Sequence, residues 1–152
     1  MVPETGCGSV QHDEVFERRH VENGTRWEYS DWPVSGGPHD ERWLTAGVYD
    51  EVADAPAGSA AASRLQAVHS LEHGYVIILH RADLPESDVD DIVDAWAGRR
   101  KVIIAPVADA PSEIVLLAWE RRRYCRAVDR DGIEEFLTAY VEGPTSPEPS
   151  AG

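Results

Sequence analysis

The sequence predicts an α/β chain of the α+β kind. A small mixed β-sheet is packed by helices, the C-terminal half runs strand, helix, strand, strand, helix, and the N-terminal half is irregular and aromatic-rich. Two unbroken apolar runs, YVIILH (75–80) and KVIIAPV (101–107), have strand length and no alternation, the pattern of strands buried on both faces. Between them LPESDVDDIVDAWAG places Val89, Ile92, Val93 and Trp96 at helical spacing, so the two strands can pair in parallel through a right-handed helical crossover. Three of the five tryptophans, Trp27, Trp32 and Trp43, fall in a turn-rich stretch from Asn23 to Pro56 that has no sustained periodicity.

Taken in order, residues 1–19 carry scattered charge and read as a flexible segment, residues 20–142 as one globular domain, and residues 143–152, rich in proline and small side chains, as a disordered tail. The alanine-rich stretch from Ser59 to His73 predicts a helix opened by a Ser59 cap and stopped at Gly74. The apolar strand from Gly74 follows, then the helix ending at Gly98, where acidic residues in the first turn suit the positive end of the helix dipole. After the second apolar strand, EIVLLAWERRRYCRAV predicts one longer strand, with Arg121 to Arg123 as solvated arginines on its exposed face. The final helix presents Ile133, Phe136, Leu137 and Tyr140 as one apolar stripe.

Composition excludes whole classes of partner. A net charge of -14 leaves no basic face to displace counterions from DNA or RNA, so no nucleic-acid partner is expected. No apolar run approaches the roughly 18 residues that span a bilayer, and the first twenty residues hold no signal-peptide core, so no membrane partner is expected and the chain reads as cytoplasmic. Lys101 is the one lysine among 14 basic residues, which suggests a GC-rich coding bias of the actinomycete sort. Cys7 and Cys125 have neither metal spacing nor a disulfide framework and read as two free thiols.

The candidate chemistry lies in VHSLEHG (68–74). On a helix His69 and His73 share one face a turn apart and form half a metal site. His39, fixed by the Gly-Gly-Pro turn of SGGPH, could complete it, and His80, Glu72 or Tyr49 are weaker choices. Imidazole suits copper, zinc or iron, and no Met or Cys nearby supports a soft Cu(I) or blue-copper centre. HSLEH also spells the HxxEH of inverted zinc peptidases, in which two histidines bind zinc and the glutamate activates water, but no downstream glutamate ligand can be specified. Ser35 and Ser70 lie near histidines without a nucleophile-elbow motif.

The succession SGGPH (35–39), GVYDE (47–51), VHSLEHG (68–74), RADLP (81–85), VIIAP (102–106) and LAW (117–119) resembles the bacterial domain-of-unknown-function family 3105, from about His20 to Tyr140. The resemblance implies a metal constellation at His39, His69 and His73. The chain departs from that family's pattern in an extra glycine and an extra tryptophan ahead of His39, and in Ala46, where a cysteine often precedes GVYDE, which leaves Cys125 without that partner.

Together these readings predict a mononuclear metalloenzyme with copper as the favoured cofactor and zinc as the alternative. It would be an oxidase or oxygenase that tailors a small aromatic or peptide-like metabolite, as in natural-product biosynthesis. His39, His69 and His73 would hold the ion, Trp32, Trp43 and Tyr49 would line the substrate pocket, and Glu72 or Tyr49 would move protons. The competing expectations are a non-catalytic copper or zinc carrier, an HxxEH-type zinc hydrolase, and a metal-free interaction domain.

Overall fold

The structure, a computed structural model, describes residues 6–29 and 32–152. The part of the flexible-segment expectation that concerns residues 1–5 lies outside the described residues. A mixed six-stranded sheet is flanked by three helices in an α+β arrangement, as the apolar runs predict. Its strands are β1 (Gln11–His12), β2 (Gly47–Val48), β3 (Val76–Arg81), β4 (Val102–Val107), β5 (Ile114–Ala118) and β6 (Arg121–Cys125). The helices are α1 (Arg64–Glu72), α2 (Glu86–Trp96) and α3 (Arg130–Tyr140).

Across the sheet the order is β1-β6-β5-β3-β4-β2. The two apolar runs pair in parallel, with Val76 opposite Val102 through Arg81 opposite Val107, and α2 carries the crossover. Successive side chains on a strand point to opposite faces, so β3 feeds two cores at once. Ile77 and Leu79 join Ile103, Val115, Leu117 and Trp119 under α1, while Val76 and Ile78 join Ile104, Leu116, Trp96 and Phe136 under α2 and α3.

Three local expectations change. The first helix is shorter than Ser59–His73 because Ala53 bridges to Ser63 and its backbone N–H bonds the Ala62 carbonyl, which holds the residues before Ser63 extended. Ser63 caps α1 instead, in a reciprocal box with Gln66, whose side chain reaches back to the Ser63 N–H. The expected long strand is a hairpin, β5–β6, reversed at Trp119 and Glu120, where Glu120 adopts φ +59 without being glycine. The arginines of β6 are half-buried and paired: Arg122 binds Asp13 at 2.6 Å and Arg123 binds Glu135 at 2.8 Å.

Cys7 and Cys125 are not free thiols. They form a disulfide between residues 118 apart, which fastens the N-terminal segment to β6. Their distance along the chain concealed the pairing, since only the folded sheet brings the two sulfurs together. Residues 8–13 continue along β6, with Gly8 N–H bonded to the Tyr124 carbonyl and Asp13 N–H to the Glu120 carbonyl. Residues 143–152 fold back on the end of α1, where the Glu148 N–H bonds the Glu72 carbonyl at 3.0 Å. Among the described residues no helix is long and apolar enough to cross a membrane.

Candidate metal centre

Helix α1 is buried from Leu65 to Glu72, and it is too polar to be a simple core helix. Buried polar side chains need partners, and those of α1 find them in the loop from His39 to Leu44. Ser70 Oγ donates to the Leu44 carbonyl at 2.7 Å and accepts from the Leu44 N–H at 2.8 Å. Ser70 therefore fastens the loop to α1. Asp40, fully buried, accepts from the Arg42 guanidinium and from the Gly58 and Arg42 backbone N–H groups. Burial alone would raise the Asp40 pKa, but these hydrogen bonds outweigh it and hold the carboxyl below its usual range. Asp40→Asn, which removes the charge that these donors face, should cost about 1–3 kcal/mol of stability, measured as a lower urea midpoint at unchanged slope.

The loop delivers His39 to α1. Gly37 adopts φ +136, and a Cβ on Gly36 would lie 2.5 Å from Val15 and 3.3 Å from Trp119, so both glycines are required by the path of the chain. His39 is fully buried, with its ring edge-on to Trp119. Its Nδ1 lies 2.8 Å from the Gly37 carbonyl, and His69 Nδ1 lies 2.7 Å from the Asp40 carbonyl. A carbonyl only accepts, so Nδ1 carries a proton in both rings; in neutral His69 this leaves a lone pair on Nε2, and in His39 it turns Nε2 toward Glu72. His73 Nε2 lies 3.0 Å from His69 Nε2 and must donate to it, which leaves His73 Nδ1 a bare acceptor. That atom and His39 Nε2 are buried and have no hydrogen-bond partner.

Glu72 completes the group. Its Oε2 accepts from Arg18 Nε at 3.0 Å, and its Oε1 lies 3.6 Å from His39 Nε2. A lone pair facing a carboxylate is repulsive unless a cation, proton or metal, lies between them. Burial would raise the Glu72 pKa, yet the carboxyl is held well below its ordinary range by its approaches to His39, Glu148 and Arg18. Burial pushes His69 down to about 4, against the opposing pull of the Asp40 carbonyl, so its ring is neutral at pH 7 and available as a ligand. Burial likewise lowers His73.

One ligand atom from each of His20, His39, His69 and Glu72 lies within 4.8 Å of the other three, and Glu72, His73 and Glu148 form a second such set. His20 is brought in by a parallel bridge to His39, with Val21 N–H bonded to the His39 carbonyl at 2.7 Å. It is exposed, and it opens the cluster to a groove of about 290 Å³ lined by His20, Val21, Glu22, Asn23 and Glu41. Neither His20 nor Glu148 stands out in the sequence, because each reaches the cluster through backbone pairing with a distant segment.

The remaining candidates are dispersed. Trp43 packs on His73 and His69, with ring centroids 4.8 and 5.7 Å away. Trp32 instead stacks near Tyr29 and under Arg64, beside a separate cleft bordered by Pro111 and Tyr124. Tyr49 donates to the Thr45 carbonyl at 2.6 Å next to the sheet-edge strand β2. His80 lies on β3 with Nδ1 near the Arg81 carbonyl, outside both ligand sets.

No curated protein and no solved structure matches the chain. The profile of one family, described as protein of unknown function (DUF3105), matches residues 20–152, nearly the whole length, and the chain belongs to that family.

Proposed function

We propose that this DUF3105 protein holds a single transition-metal ion, copper first and zinc second, between His39, His69 and Glu72, with His73 and His20 on its flanks. The observation that carries the proposal is the pair of buried imidazoles, His39 and His69, each oriented by an Nδ1–H bond to a backbone carbonyl, with His39 Nε2 3.6 Å from Glu72 and both residues in one ligand set with it. That is how proteins orient ligating imidazoles. Copper is preferred because a site of nitrogen and oxygen donors binds it most tightly among the first-row divalent ions.

A redox activity, oxidase or oxygenase in type, is supported by the groove at exposed His20, from which a small molecule could approach the ion. A bound copper ion would supply electron transfer. The protein side chains would hold it, exclude water through Trp43 and Trp119, and keep the His69 ring unprotonated. Trp43 is retained from the expected aromatic lining, and Trp32 and Tyr49 are left out of it because their neighbours lie elsewhere. The HxxEH hydrolase reading is weaker, since Glu72 is engaged by Arg18 instead of being free as a base.

The compartment follows from different chemistry. A disulfide persists where thiols are kept oxidised, so Cys7–Cys125 favours an oxidising compartment over the cytoplasmic placement expected from the sequence. The test of the metal proposal is elemental analysis of untagged protein, followed by titration with Cu(II) and Zn(II). One equivalent bound, with a preference for copper, is expected; no uptake of either ion rejects it.

A further inference from the structure

Lys101, the one lysine of the chain, is 4 % exposed and serves none of the roles above. Its ammonium donates to three carbonyls: His73 at 2.9 Å, Pro149 at 3.1 Å and Ala151 at 2.6 Å. The first belongs to the end of the histidine helix and the other two to the returning segment 143–152, so a single buried charge clasps that segment to the candidate site. Glu142 also lies 3.4 Å from this ammonium. Two further contacts align the strap. Glu148 N–H bonds the Glu72 carbonyl, and the Tyr75 hydroxyl donates to the Gly152 carbonyl at 2.7 Å.

The alignment brings Glu148 beside Glu72 and His73, close enough for one ligand atom of each to share an ion. Arg18 lies 3.0 Å from Glu72 and 3.6 Å from Glu148, and a single guanidinium between two carboxylates leaves negative charge in excess. His73 Nδ1 adds a buried acceptor with no partner. Gly152 approaches so closely that a Cβ there would lie 2.8 Å from Trp43 and 3.0 Å from His73 Nδ1, so the strap closes directly over this ring.

We infer that segment 143–152 is a closing strap beside the metal centre, which delivers Glu148 to the ligand set that Glu72 and His73 form next to the His39–His69–Glu72 group, and is positioned by Lys101. This rests on the metal-binding reading above. Strap docking and ion binding are then linked: the ion tightens the strap, and loosening the strap weakens the ion by the same factor. Because Glu148 is 47 % exposed, its replacement leaves the core intact.

The experiment uses the full chain, with Cu(II) and Zn(II) as probes, in the parent, Glu148→Gln and Lys101→Met. Affinity is measured together with amide hydrogen exchange in residues 143–152, with and without ion. The expected result is slower exchange in that segment on adding ion to the parent, a roughly 10- to 100-fold loss of affinity in Glu148→Gln, and a loss of about 10-fold in Lys101→Met that abolishes the ion-dependent protection. Undiminished affinity in Glu148→Gln, with exchange in 143–152 unmoved by an ion that the parent does bind, overturns the strap and leaves the metal centre standing. A parent that binds neither ion removes both.

Discussion

His69→Ala should abolish tight copper and zinc binding while leaving the chain folded. The His69 ring is central to the cluster: it contacts His73 through Nε2, stacks with His39 and His20, and is locked by the Asp40 carbonyl. Loss of this ring removes one ligand outright and frees His73 and His39 from their shared geometry, so affinity should fall more than 100-fold, beyond the 10- to 100-fold typical of an orienting partner. The same experiment has a stability readout. An ion that binds only the folded chain adds about 2.7 kcal/mol at a concentration 100 times its Kd, which for a chain of this size raises Tm by roughly 5–10 °C. The parent should show that rise and His69→Ala should not. His80→Ala is the control, because His80 lies outside both ligand sets and its loss should leave affinity unchanged. Equal metal affinity in folded His69→Ala and parent would reject the centre.

The second large effect concerns the disulfide. A crosslink between residues 118 apart removes much of the freedom of the unfolded chain. In the chain-entropy view a loop of that length is worth about 4–5 kcal/mol. The double variant Cys7→Ser, Cys125→Ser should therefore melt roughly 10 °C or more below the oxidised parent, and reduction of the parent should produce a similar drop. A change of less than about 2 °C would mean that the β1–β6 pairing and the Asp13–Arg122 ion pair hold the N-terminal segment without the crosslink.

What was legible in the sequence follows from the range over which each signal acts. Helices α2 and α3 and strands β3 and β4 declare themselves through spacing that repeats within a few residues, and each lies where its pattern puts it. The SGGPH turn and the His69–His73 pair are likewise local, and the fold brings them together, with ring centroids of His39 and His69 4.8 Å apart. The hairpin at Glu120 was hidden because its left-handed residue is not glycine, so no turn signal interrupts the apolar-to-basic run. The Cys7–Cys125 pairing, His20 and Glu148 depend on chain segments that return from a distance, and no spacing records such a return. Trp32 shows the opposite failure, since it lies close to the SGGPH turn in sequence but packs against Tyr29 and Arg64 beside a separate cleft.

The outermost strands have a consequence for the behaviour of the protein at high concentration. β1 and β2 are each two residues long, and between them lie the apolar strands β3, β4 and β5. A neighbouring molecule seeking to extend the sheet finds only a short ladder at either side, and β1 there carries the exposed polar pair Gln11 and His12. Beyond the reach of β2, strand β4 runs through Pro106, which has no N–H to offer a new partner. The segments best suited to fibril growth are thus enclosed by their own neighbours, and the sheet is terminated at both margins before it can template another.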